Sequence, residues 1–208
     1  FTGSWYDETA EKEAAQKLIQ NGAVLVSQHA DSMGAPTACE SAGVPNVSYN
    51  GSTESACPNT FIVSSRINWA PYLEHCIEAV RDGKTIEADW TGTLSDNSVL
   101  LTDFGQKATA EGTADAVEKA KKAIEDGSVH VFDVNTFTVT VTEDKNKNAK
   151  VDADGHLTSY MADVDTDAAY TPDKEVVSDG YFHESEYRAA PYFDVQIDGI
   201  NLLDVNFG

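Results

Sequence analysis

Apolar and polar positions change period several times along the chain, and each change predicts a new element. From Asp7 to Asn21 apolar residues recur at helical spacing, with Asp7 placed to cap the start and Gly22 to end it. Residues 23–27 then form a short apolar run of the type buried in parallel sheets, and it stops on the polar cluster Gln28-His29-Ala30-Asp31-Ser32. Residues 36–42 predict a helix closed by Gly43, 44–49 and 61–65 predict strands, and 70–82 predict a helix with Pro71 in its first turn and Gly83 beyond it. Residues 85–90 and 98–104 read as strands around a turn at Ser95-Asp96-Asn97. Thr113 opens a helix whose Val117, Ala120 and Ile124 share one face before Gly127. Beyond that helix the period becomes two: Phe137, Val139 and Val141 alternate with threonines, as in an antiparallel strand with one solvated face. The pattern predicts an α/β lobe with a largely parallel sheet over residues 1–133, and an antiparallel β extension packed on it over 134–208.

Composition adds limits. With 208 residues, 41% hydrophobic and 9% aromatic, the chain can bury a core as one domain or two small ones. A net charge of -21, from 35 acidic against 14 basic residues, repels nucleic acid and anionic membrane surfaces. No run approaches the roughly 18 apolar residues that cross a bilayer, so any anchor is expected outside the chain. Cys39, Cys57 and Cys76 lack metal spacing. Cys76 is expected on a buried face with Ile77 and Val80, while Cys39 and Cys57 could meet in a disulfide.

Several stretches match a known family in words. Gly3-Ser4-Trp5-Tyr6-Asp7, Asn21-Gly22-Ala23, Gln28-His29-Ala30-Asp31-Ser32, Asn68-Trp69-Ala70-Pro71-Tyr72 and Phe182-His183-Glu184-Ser185-Glu186 resemble the basic membrane protein family of substrate-binding lipoproteins. Further matches run through residues 131–139 and 157–163 to Ile197-Asp198-Gly199-Ile200. The resemblance implies a lobe of the type I periplasmic-binding-protein fold, an extracytoplasmic lipoprotein, an ABC permease as partner, and a small nucleoside-like ligand held between two lobes. It also implies that this chain corresponds to the second lobe, so that by itself it would bind nucleosides weakly or not at all. The segment over 70–82 would then pack on the other lobe, so that in this chain its outer face is expected either exposed or paired with another copy.

In that family the C-terminal strand ends of the lobe form one wall of the cleft. The expected ligand-binding residues are therefore Trp5, Gln28, His29, Asp31, Asn50, Ser52, Asn68 and Trp69, which offer stacking faces and hydrogen bonds to a polar ring or ribose. Each has a plainer reading: Trp5 and Trp69 as core or interface aromatics, His29 as a local hydrogen-bonding group, Asp31 as a helix cap. Asn50-Gly51-Ser52 departs from the family's Asp-Ser-Asp-like run, and a serine in place of a ribose-gripping carboxylate is weaker by about 1–3 kcal/mol. A different ligand, or a ligand-free regulatory or adhesive surface module, is the alternative.

Asp144, Asn146, Asn148 and Asp152 occupy positions 1, 3, 5 and 9 of an incomplete calcium loop, with Ala149 in place of the turn glycine and Gly155 in place of the terminal glutamate. A solvated hairpin turn explains the same residues, and no cofactor is implied. No nucleophile elbow, P-loop, dinucleotide fingerprint or zinc-protease motif occurs. Residues 182–186 could supply acid, base and nucleophile, but neighbours in an extended segment point to opposite faces. A non-enzymatic receptor is the expectation.

Overall fold

The computed structural model describes residues 2–165 and 167–203. They form two compact units, one from the residues up to Pro71 with Thr93–Lys119 and the last described residues, the other from Tyr72–Gly92 and Ala120–Asn201.

The first unit opens with α1, Glu8–Gln20. Asp7 caps it as the sequence predicts: its Oδ1 accepts from the Ala10 N–H at 2.9 Å, and its own N–H donates to Glu11 Oε1 at 2.7 Å. Strand β1 covers only Val26–Ser27, followed by α2, Gly34–Ala42, β2, Asn46–Tyr49, and β3, Phe61–Ile67. The predicted apolar run is thus mostly outside the sheet, because Val24 is 82% exposed and Val26 alone of the three large residues is buried. Strands β1, β2 and β3 are adjacent and parallel, while β4, Val99–Leu101, pairs antiparallel with β3.

The predicted strand over 98–104 ends early, since beyond Leu101 the Thr102 side chain replaces backbone as acceptor for the Ser64 N–H at 3.0 Å. Gly105 continues the contact, donating to Ile62 O at 2.8 Å, and a methyl there would strike the Phe61 carbonyl. The interior of this unit is small: Ala15, Ala35 and Ala38 with Val26 and Cys39, against Ile19 and Val44. Gly34 permits the close crossing of α1 and α2, since a methyl on it would collide with the Glu8 carbonyl oxygen and stand 3.0 Å from Lys12 N.

In the second unit, helix α3, Ala70–Arg81, shows the opposite of the predicted burial. Ala79 is buried, whereas Leu73, Ile77 and Val80 are 54%, 66% and 68% exposed. The strand predicted over 85–90 does not form. Instead the segment folds back on α3, with Trp90 5.4 Å from the Tyr72 ring and Glu87 2.7 Å from His75 Nε2.

Helix α4, Thr113–Glu125, buries none of its residues. The remaining strands are all antiparallel: β5, Ala149–Val151, pairs with β6, Leu157–Ala162, and β6 with β7, Lys174–Glu175. A separate hairpin joins β8, Val177–Ser178, to β9, Tyr181–Phe182.

The alternating run over 137–141 is not a strand, although Val139 is buried. Val139 N donates to Gly155 O at 2.8 Å, and the Asp198 carboxylate accepts from Thr140 N at 3.1 Å and from the hydroxyls of Thr138 and Thr140 at 3.2 and 3.1 Å. The core of this unit is aromatic, built on Phe182, Leu157, Tyr160 and Tyr192, with Phe132 stacked on Phe193 at 4.1 Å. The three cysteines are free thiols rather than a bridge. Burial first, and Cys57 second, push the Cys39 thiol up to about 11.

Candidate functional site at the strand ends

Three adjacent parallel strands, with a register shift between Asn46 and Val47 where β2 meets β3, present their C-terminal ends at one sheet edge, which is where open α/β sheets offer unpaired loops to a ligand. An open pocket of about 650 Å³ lies at the end of β1, lined by Trp5, Gln28, His29 and the α1 residues Glu11, Ala15 and Leu18. The Asp31 N–H donates to Trp5 O at 2.8 Å and so ties the N-terminal segment to the β1 end. Trp5 is 72% exposed, which rules out its reading as a core aromatic here and leaves its ring available for stacking. His29 stacks on Tyr49 at 5.2 Å, linking the pocket to the β2 end.

The pocket is mostly apolar with a few placed polar atoms. Glu11 is buried, and its second carboxylate oxygen accepts from the Ser32 hydroxyl, whose Oγ in turn accepts from Gly34 N at 3.0 Å. Ser32, not Asp31, therefore serves the start of α2. Gln28 donates weakly to Ser32 O at 3.5 Å, while its Oε1 is buried with no hydrogen-bond partner among the described residues. A buried unpaired amide oxygen costs about 1–3 kcal/mol, and Gln28 carries it at the pocket lining.

Asn50, Ser52, Asn68 and Trp69 lie along the same edge but outside the pocket lining. Asn50 holds φ 68 and donates its N–H to Ser65 O at 2.7 Å, and Ser52 Oγ accepts from Glu54 N at 3.2 Å. Asn68 works as a local brace, donating to Asn97 O at 2.9 Å and accepting from Ala70 N at 3.3 Å. Trp69 is 60% exposed. Glu11, Leu18 and Tyr49 were not among the expected site residues. Only the Asp7-to-Glu11 spacing at the helix start hinted that Glu11 would turn inward.

The calcium positions separate. Asp144, Asn146 and Asn148 line a polar pocket of about 310 Å³ with Tyr160, Tyr170 and Asp194. Asn146 and Asn148 already donate their amide N–H groups, to Gln196 O at 3.0 Å and to the Tyr170 hydroxyl at 2.8 Å. Asp152 lies past β5 and accepts from His156 N and Asp154 N, both at 2.9 Å, bonds that hold its carboxyl below the usual range. Its neighbours Asp154 and His156 bring ligand atoms within 4.8 Å of it, at the surface.

Residues 1–131 match the model of the PnrA-like ABC transporter substrate-binding proteins. The chain belongs to that family. It is 23% identical over 137 residues to a Haloferax volcanii protein named as an ABC transporter glucose-binding protein, covering 66% of this chain and 35% of the relative. A purine-binding protein of Brucella abortus is 29% identical over 83 residues, covering 40% of this chain and 24% of that one. The chain thus spans about a third or less of these curated relatives.

Two solved ABC solute-binding proteins share the fold. One, from Conexibacter woesei, has TM-score 0.50 and 21% identity over 62% of this chain and 44% of its own. The other, from Aeropyrum pernix, has TM-score 0.50 and 18% identity over 69% of this chain and 48% of its own. The periplasmic-binding-protein fold expected from the sequence is that of the family. No helix among the described residues is long and apolar enough to cross a membrane.

Proposed function

We propose that the chain is a ligand-binding part of the extracytoplasmic receptor of an ABC importer, taking nucleosides or related small polar molecules without chemical change. The observation that carries this reading is the open pocket at the β1 end, where Gln28 lies beside the exposed Trp5 ring and His29. An aromatic face next to a hydrogen-bond acceptor suits a purine ring with its exocyclic amine or a ribose hydroxyl. The purine-binding name of the Brucella relative supports the same class, while the glucose-binding name of the Haloferax relative supports a sugar as the second reading. A permease partner, a lipid anchor and self-association through the outer face of α3 belong to the proposal. Residues 1–133 as the binding lobe and 134–208 as its extension also belong to it.

Calorimetric titration of the full-length protein with purine and pyrimidine nucleosides, nucleobases and glucose tests it. Micromolar binding that weakens about fivefold in Gln28→Ala is the expected result, since one lost hydrogen bond is worth about 1 kcal/mol. Silence across the panel overturns it and leaves the ligand-free surface module. Binding unchanged by Gln28→Ala moves the site elsewhere.

A further inference from the structure

The β8–β9 hairpin brings a serine, a histidine and a glutamate into one line. Its two turn residues, Asp179 and Gly180, hold φ 52 and 87, the left-handed pair that closes a two-residue hairpin tightly. Ser178 therefore pairs with Tyr181, and His183, just past β9, returns over Ser178. Ser178 Oγ lies 2.8 Å from His183 Nε2, and His183 Nδ1 lies 2.7 Å from Glu186 Oε2. A carboxylate can only accept, so the Nδ1 facing it carries the proton and Nε2 is left as the acceptor for the Ser178 hydroxyl.

Both supports of the serine are themselves held. His183 is 7% exposed, donates its N–H to Val176 O at 2.8 Å, and accepts the Tyr192 hydroxyl at its carbonyl. The Tyr181 ring lies 3.9 Å from the imidazole, and the Tyr181 hydroxyl reaches the other Glu186 oxygen at 3.5 Å. The Glu186 N–H donates to the Tyr192 hydroxyl oxygen at 3.1 Å. Ser178 is exposed, and its competing contact with Asp179 is longer at 3.4 Å. The chain turns after His183, with Ser185 at φ 63, so His183 and Glu186 converge where an extended segment would part them, and the nucleophile comes from across the hairpin.

We propose that Ser178 is a surface nucleophile toward activated acyl esters, with His183 as its base and Glu186 as the residue that orients and stabilises the imidazole. Ser178 Oγ adds to the ester carbonyl carbon while its proton passes to His183 Nε2. The adduct then collapses, the bond to the leaving oxygen breaks, and that oxygen takes the proton from Nε2. Water, giving its proton to the same Nε2, cleaves the acyl-serine to a carboxylic acid and restores the hydroxyl. Because the serine is exposed on its hairpin, the reaction is confined to esters with good leaving groups. The surrounding acidic charge favours neutral or cationic acyl donors.

A fluorophosphonate probe tests this directly, since the attacking oxygen forms a P–O bond as fluoride leaves. Peptide mapping should find the label on Ser178, and p-nitrophenyl acetate should be hydrolysed by the intact chain. Ser178→Ala, on an exposed turn, should fold normally and lose both. Glu186→Gln should slow both about tenfold or more with an unchanged melting temperature, and His183→Gln about a hundredfold or more. If the buried His183→Gln variant melts early, the Ser178 and Glu186 variants still decide the matter. No label on the intact chain, label on tyrosine or lysine instead, or equal labelling of Ser178→Ala overturns the proposal.

Discussion

The two compact units fill their interiors by different means. The first packs α1 on α2 through Ala15, Gly34, Ala35 and Ala38, so that backbones nearly touch and few large side chains are used. The second gathers Phe132, Tyr160, Phe182, Tyr192 and Phe193 around short antiparallel strands. Small residues let elements approach closely but bury little area each, whereas each aromatic removes 150–250 Å² from water. The first unit can therefore leave Trp5 and the β1 end uncovered for a ligand. The second depends on a few large side chains, and its polar chemistry is confined to the loops around them.

The largest test of this contrast is Phe182→Ala, which empties the centre of the aromatic core. It should cost about 3–5 kcal/mol in denaturant unfolding. A loss below 1 kcal/mol would mean that the second unit does not rest on its aromatics. Next comes Gly34→Ala, which should destabilise the first unit by about 1–3 kcal/mol because a methyl meets backbone that cannot move aside. An unchanged or raised melting temperature would show that the α1–α2 crossing is looser than described.

Glu184 gives a pH test of the second unit. Its carboxyl is held above the usual 4.5 first by burial, and one of its oxygens is buried without a partner among the described residues. The folded state thus holds the proton more tightly than the unfolded chain, so this group lowers stability as pH rises from 4.5 through its raised value. Glu184→Gln should melt higher than the parent at pH 7, with the gain vanishing below pH 4.5. A gain that persists in acid would point to packing instead of protonation. The smallest stability effect belongs to the pocket rim: Trp5→Ala and His29→Ala should change unfolding by less than about 0.5 kcal/mol while lowering ligand affinity. A large loss of stability in Trp5→Ala would contradict its 72% exposure.

Legibility followed the range of the interactions involved. Asp7, Gly22 and Gly43 announce helix ends by local backbone chemistry, and α1 starts and stops where they predict. The expected edge residues Trp5, Gln28 and His29 do meet at one pocket: Gln28 and His29 follow the end of β1, and the Asp31 N–H holds Trp5 O beside them. Misreadings arose where partners are distant in sequence. Residues 85–90 have strand-like side chains but find Tyr72 and His75 on α3, and Thr138 and Thr140 find Asp198 instead of a strand.

By itself the sequence determined the α/β class, the helix boundaries, the acidic surface and the family, since these rest on period, capping, composition and words of contiguous residues. Only the tertiary structure decided that Val24, Ile77 and Val80 face outward, that Glu11 turns into the pocket with Gln28 Oε1 unpaired, and that Ser178 meets His183 across a turn. Burial and hydrogen-bond partnership depend on which elements pack together, and no local pattern carries that information.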